Sequence, residues 1–285
     1  MKISVVLLTY NGGDRLRRIA EILRSQEFAG EVEYVAVDSG STDGTPEFLA
    51  GRGFHVYAVE KKDFSFGPVL DYAFQCATGD VIMTQSQDVV PIDSTYLRVM
   101  TEPILKGQAD VVQGDAPPQP EDTSVFLWDR MGVGYFTSEG RAFMKKYGNI
   151  GLSCTCLAMS REAWKATGFG NGSYSQDKYI QRLLAEKGFR IVGSPGIVAW
   201  HGHSYTFSSL VRRCLNEGIG WRSAGVRYSL GLCLRDLSIG FARHLPKWLG
   251  AVRRGQARDC ASLLFFQIRP VCVWIGNRLM KDVVL

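Results

Sequence analysis

The sequence predicts an α/β fold with a mostly parallel sheet flanked by helices. Three observations carry that expectation. Residues 3–8 form a near-continuous apolar run, as in a strand covered on both faces. Short β-branched runs then alternate with helix-spaced apolar residues as far as Thr84. Asp38 and Asp88 stand just past the ends of two of these runs, where open α/β sheets bind ligands.

The first strand covers residues 3–8. Residues 14–24 follow as a helix, with Leu16, Ile19, Ala20 and Leu23 on one face. Residues 32–37 read as a second strand. It ends in the turn cluster Asp38-Ser39-Gly40-Ser41-Thr42-Asp43-Gly44, which leads into a helix near Pro46. Residues 55–59 are a third strand, 68–77 a helix and 81–84 a fourth strand. Such an order implies parallel pairing with right-handed crossovers. Beyond it the alternation weakens. Residues 94–105 look helical and 110–114 extended. Residues 116–122 form a Pro-rich loop, and 125–146 a helix with a Gly-rich interruption. A strand over 152–159, helices over 161–167 and 177–187, and a strand over 190–200 complete the body. From Tyr205 onward the chain is helix-forming and basic.

Charge divides the chain into an expected catalytic body, 1–209, and a basic amphipathic helical extension, 210–285. The extension holds 13 Lys and Arg against 4 Asp and Glu, a surplus of nine; the whole chain carries +5, which leaves the body at −4. Basic residues interleaved with large apolar ones suit helices lying on an anionic membrane surface, and equally a helical cap with its arginines outward. No uninterrupted apolar stretch reaches the length of about 18 residues that a spanning helix needs. The opening apolar run is too short for a signal peptide. Seven scattered cysteines, an odd number, predict reduced thiols and a cytoplasmic setting.

Four places hold chemistry-bearing residues. Thr9-Tyr10-Asn11 and Asp38 lie past adjacent strand ends; a nucleotide base needs an acceptor for its imide and a ring to stack on, which Asp38 and Tyr10 can supply. Asp38 alone equally suits a turn cap. Asp88 ends the fourth strand and can hold a divalent cation on a diphosphate, or cap the turn before Pro91; Ser86 and Gln87 beside it can orient it or touch ligand. Asp177 begins a helix after the loop Gly170-Asn171-Gly172-Ser173-Tyr174-Ser175-Gln176. It is a helix cap or a general base for an attacking hydroxyl. Trp200-His201-Gly202-His203 follows a strand, and either imidazole can join a carboxylate-held cation. No Walker loop, dinucleotide fingerprint or nucleophile elbow occurs.

The ordered set resembles family 2 glycosyltransferases of the GT-A (Rossmann-like) fold. The resemblance rests on residues 3–11, on Val37-Asp38-Ser39-Gly40-Ser41-Thr42-Asp43-Gly44-Thr45, and on the strand from Ala77 to Asp88. Ser86-Gln87-Asp88 is similar to the metal motif of their rhamnosyltransferase-like branch. Ser175-Gln176-Asp177 stands at the place of the base motif, and His201-Gly202-His203-Ser204-Tyr205-Thr206 is similar to that branch's His-x-His segment. The resemblance implies inverting transfer of a sugar from a UDP-, dTDP- or GDP-linked donor to a glycan or lipid-linked acceptor, in cell-surface polysaccharide synthesis. It implies Thr9, Tyr10, Asn11, Asp38, Ser86 and Gln87 as nucleotide-binding residues. Asp88 with His201, or alternatively His203, would hold Mg²⁺ or Mn²⁺, and Asp177 would be the base. Leu70 and Asp71 depart from the branch, which has an Arg-Asn pair there. A nucleotidyltransferase and a non-catalytic nucleotide-sugar or glycan binder remain alternatives. The expected location is cytoplasmic, peripheral on the inner face of the membrane, and no nucleic-acid partner is expected.

Overall fold

A computed structural model describes residues 1–119, 137–171, 174–202 and 206–281. The chain divides into two compact units, one of Met1–Ala116 with Ile150–His201, the other of Pro117–Asn149 with Gly202–Leu285.

The first unit is a sheet between two helical layers. Its elements are β1 (Lys2–Thr9), α1 (Gly13–Arg24), β2 (Glu31–Asp38), α2 (Thr45–Gly51), β3 (His55–Ala58), α3 (Phe66–Cys76), β4 (Val81–Ser86), β5 (Val90–Pro91), α4 (Tyr96–Leu105) and β6 (Val111–Asp115). In the second unit comes α5 (Ser138–Lys146). The first unit then resumes with β7 (Cys156–Ser160), α6 (Arg161–Thr167), α7 (Gln176–Glu186), β8 (Ile191–Ile197) and β9 (Ala199–Trp200). Seven strands form one sheet in the order β3-β2-β1-β4-β7-β6-β8. β1 to β4 are mutually parallel, whereas β7 runs antiparallel to β4 and β6.

Side-chain alternation explains the layers. Ile3, Val5 and Leu7 of β1 point into a core shared with Leu16, Ile19 and Leu23 of α1 and with Tyr96, Leu97 and Met100 of α4. Val6, Val35 and Ile82 point to the opposite face, against Leu70 and Phe74 of α3, Trp164 of α6 and Ile180 of α7. The apolar run of β1 is thus continuous because both faces are covered.

The expected single strand over 190–200 is two strands. β8 pairs with β6, while β9 leaves the main sheet and pairs with β5 as a separate two-stranded ladder. The strand expected over 152–159 begins only at Cys156, and residues 125–136 of the expected long helix lie outside the described residues.

The second unit contains α5, α8 (Phe207–Ser223), α9 (Leu230–Arg253) and α10 (Ala257–Arg278). The expected boundary at 209/210 falls inside α8, because that helix starts at its Thr206 cap rather than where the charge changes. α8 and α10 pack backbone to backbone. A Cβ on Gly218 would sit 2.1 Å from the Val273 carbonyl oxygen, and one on Gly276 would sit 1.9 Å from that of Leu215. Beside this seam the buried Glu217 carboxylate is paired with Arg269 and accepts the Trp221 indole N–H at 3.1 Å. Buried Asp236 accepts from the Ser138 N–H and the Tyr228 hydroxyl, each at 2.7 Å. All seven cysteines are free. No helix of the described residues is long and apolar enough to cross a membrane.

Candidate active site

The candidate residues gather at the carboxyl ends of the parallel strands. β1 and β2 end in register, Thr9 opposite Asp38. Asp38 is 4% exposed, and its carboxylate is saturated. Oδ1 accepts the Gly40 and Ser41 N–H groups at 3.0 and 2.8 Å, and Oδ2 accepts the Thr9 and Ser41 hydroxyls at 2.8 and 2.6 Å. The loop after β1 is stitched to the same turn. The Asn11 N–H donates to Ser41 Oγ at 2.7 Å, and Asn11 Oδ1 accepts the Thr42 N–H at 2.8 Å. The Gly13 N–H donates to Asp43, and this bond together with those from Thr45 holds the Asp43 carboxyl below its usual range; the Thr45 hydroxyl is the largest contributor.

Tyr10 projects from this loop and is 39% exposed. Gln87 holds its backbone at both ends: the Tyr10 N–H donates to Gln87 Oε1 at 3.0 Å, and Gln87 Nε2 donates to the Tyr10 carbonyl at 3.1 Å. Lys61 Nζ donates to the Tyr10 hydroxyl at 2.7 Å and lies 4.5 Å from the ring centroid. Lys61, which no sequence motif marks, sets a cation beside the Tyr10 ring.

Asp88 follows Gln87 on the turn closed by the Val89 N–H to the Ser86 carbonyl at 3.1 Å. The β5–β9 ladder sets its surroundings. Val90 is opposite Trp200, so the chain on either side brings Asp88 against His201, with Asp88 Oδ1 3.4 Å from His201 Nε2. Arg15, from the first turn of α1, donates to the Asp88 carbonyl at 2.8 Å. Two ligands at right angles on a cation with bonds of about 2.1 Å stand about 3 Å apart, so this nitrogen and oxygen suit one shared ion. No cluster of three or more His, Cys, Asp or Glu occurs among the described residues. A pair with open positions fits a cation that also takes diphosphate oxygens. His203, the alternative ligand, lies outside the described residues.

Asp177 reaches the same edge by another route. Because β7 is antiparallel to β4, the residues before it lie beside the end of β4, where the Ser86 N–H donates to the Thr155 carbonyl at 2.9 Å. Next to Thr155, the Cys154 thiol is pushed well above its usual range, first by burial and then by the Asp177 charge nearby. Asp177 is in the first turn of α7, whose cap residue Ser175 has φ 55° and contributes no side-chain bond. Asp177 Oδ1 accepts the Lys178 N–H at 2.8 Å; Oδ2 lies 3.8 Å from Lys178 Nζ. One oxygen therefore keeps acceptor capacity while the other serves the helix.

The departures at Leu70 and Asp71 have structural work instead. Leu70 is buried in the α3 core, and Asp71 accepts the Trp164 indole N–H at 2.8 Å and the Phe169 N–H at 2.9 Å. These bonds fix the turn after α6.

The family model described as "Glycosyl transferase family 2" matches residues 4–168. The chain belongs to that family. Among curated proteins it is similar to the O-antigen chain rhamnosyltransferase RfbN of Salmonella typhimurium, at 20% identity over 231 residues, 77% of this chain and 72% of that one. An uncharacterized glycosyltransferase of Mycoplasma pneumoniae is 33% identical over 95 residues, 31% of this chain and 32% of that one. Among solved structures, the mannosyltransferase PcManGT of Pyrobaculum calidifontis, in complex with GDP-Man and Mn²⁺, superposes with a TM-score of 0.62 at 14% identity, covering 98% of this chain and 88% of that one. Glucosyl-3-phosphoglycerate synthase of Mycobacterium tuberculosis, with Mn²⁺, UDP and phosphoglyceric acid, gives a TM-score of 0.61 at 19% identity, covering 80% of each chain. The fold of this family 2 glycosyltransferase is GT-A.

Proposed function

We propose that this protein is an inverting, metal-dependent hexosyltransferase that moves a sugar from a nucleoside-diphosphate donor to a hydroxyl of a glycan or lipid-linked acceptor. The observation that carries the reading is the approach of Asp88 and His201 to 3.4 Å at the end of β4. In it, Tyr10 stacks on the base and the Thr9–Asp38–Ser41 knot holds the loop that carries Tyr10. Asp88 and His201 would hold Mg²⁺ or Mn²⁺. When bound, the cation stabilises the negative charge that develops on the leaving group.

Asp177 Oδ2 takes the proton of the acceptor hydroxyl. The acceptor oxygen forms its bond to the anomeric carbon as the bond from that carbon to the diphosphate oxygen breaks; the electron pair leaves with the diphosphate, and the proton stays on Asp177. Attack from the face opposite the leaving group inverts the anomeric centre. The likeness to an O-antigen chain rhamnosyltransferase supports cell-surface polysaccharide as the product and a lipid-linked acceptor as the substrate. The proposed enzyme works in the cytoplasm, peripheral on the inner face of the cell membrane.

Thermal shift with UDP-, dTDP- and GDP-sugars and Mn²⁺ identifies the donor, since a bound ligand raises apparent stability by mass action. With that donor, Asp88→Asn and His201→Ala are expected to lose metal-dependent release of nucleoside diphosphate. Asp177→Asn is expected to keep donor binding and lose transfer. Retained transfer by Asp177→Asn rules that residue out as the base. Metal-independent turnover by Asp88→Asn removes the cation from the scheme.

A further inference from the structure

We propose that one exposed face of α9 docks on an anionic lipid bilayer. Leu230, Leu234, Phe241, Leu245 and Val252 recur at intervals of four and seven residues, so they share one side of the helix. All five are exposed, Phe241 by 59% and Leu234 by 55%. The face that packs on the unit's core is a different one and carries Cys233, Asp236, His244 and Ala251. α9 therefore has one covered face of mixed polarity and, on another side, an apolar stripe that is exposed.

Charge identifies the occupant. Arg235, Arg243, Lys247 and Arg253 are all exposed on the same helix. The carboxylates described between residues 207 and 281, Glu217 and Asp236, are both buried, Glu217 paired with Arg269 and Asp236 bonded to Ser138 and Tyr228. The exposed charged side chains described on these helices are Lys and Arg. A large apolar stripe on a helix whose other exposed positions carry cations, Arg235 and Arg253 on the side next to it, suits a helix lying in the plane of a membrane, its stripe at the boundary between headgroups and acyl chains. A second copy of this chain is a poor occupant, because it would bring the same arginines face to face. The inference deepens the peripheral location proposed above, and its readout does not depend on sugar transfer.

Cosedimentation of the full chain with phosphatidylcholine vesicles, with and without phosphatidylglycerol, tests it. Binding is expected with phosphatidylglycerol at low salt, and much weaker binding without it. Phe241→Asp with Leu245→Asp should weaken binding by at least about tenfold. Arg235→Gln with Arg253→Gln, which leaves the stripe intact, should weaken it by roughly fivefold per cation removed. Unchanged circular dichroism and donor-nucleotide affinity show that the variants fold. No binding to either vesicle, equal binding to both, or undiminished binding by both variants overturns the proposal. A lipid-independent dimer abolished by the Phe241 and Leu245 substitutions also overturns it and assigns the face to a second copy.

Discussion

Four hydrogen bonds on Asp38 and two on Gln87 make these side chains braces of the Tyr10 loop before they are anything else. Truncating Gln87 to Ala removes both of its bonds to the Tyr10 backbone. At about 1 kcal/mol each, the loss of order in the Tyr10 loop is expected to weaken donor binding by roughly tenfold or more, with little change in melting temperature; calorimetric titration with nucleotide measures it. Unchanged affinity would show that Tyr10 does not depend on this clamp. A second brace gives a pH dependence. Burial raises the Glu33 carboxyl, but bonds from Ser4 and Thr78 outweigh it and hold the group below its ordinary value. A depressed carboxyl stabilises the fold above its unfolded pKa and loses that contribution as pH falls through its folded one. Glu33→Gln should therefore melt lower than the parent at neutral pH, and the gap should close below about pH 4 in a series of thermal scans. Residue types at this site were legible in the sequence; their partners were not. Gln87 stands beside Asp88 and reads as a ligand, yet its amide is taken by a backbone 77 positions earlier. That pairing depends on the neighbouring ends of β1 and β4, which no local pattern records.

Elements set the distances between these residues. Asp88 meets His201 because β5 pairs with β9, a two-stranded ladder that the sequence hides inside one long strand-like run. The alternation of β1 to β4 with their helices was readable because β1, β2 and β4 carry long buried apolar runs, and only the edge strand β3 is short and half-exposed. The reversal of β7 was not, since a strand buried between β4 and β6 looks alike in either direction. Arg15 joins α1 to the Asp88 turn through one bond to a carbonyl, an atom every residue has, so no motif marks it. Arg15→Ala is expected to raise the Mn²⁺ concentration for half-maximal activity several-fold while kcat at saturating metal changes less, because the turn rather than a ligand is lost. In the second unit, Gly218→Ala places a methyl group against the Val273 carbonyl and must push α8 and α10 apart. Overpacking of this kind costs about 1–3 kcal/mol, measurable as a lower midpoint in urea unfolding followed by tryptophan fluorescence, with Trp221 as reporter on the same helix.

At the scale of the molecule, the two units separate the two kinds of surface. Every described candidate for donor, metal and base, from Thr9 to His201, belongs to the unit of Met1–Ala116 and Ile150–His201, while the basic helices α8 to α10 belong to the other. The sequence puts its change of charge near residue 210, whereas the compact units divide at His201 and Gly202. Nor does the charge show that the chain leaves the first unit over residues 117–149 and returns to it, because an insertion shows in contacts and not in composition. Each unit has its own apolar core, so each opens with its own free energy. Ligand binding stabilises only what it holds: with donor and Mn²⁺ at about a hundred times their dissociation constant, the gain is about 2.7 kcal/mol. Hydrogen exchange followed by mass spectrometry should then show slower exchange in peptides covering residues 9–13, 38–45 and 86–91, with α9 exchanging as before. Anionic vesicles should do the reverse, slowing exchange in α9 and leaving those loops unchanged. Donor-induced protection confined to α9 would move the nucleotide site out of the first unit and would leave the meeting of Asp88 and His201 without a chemical role.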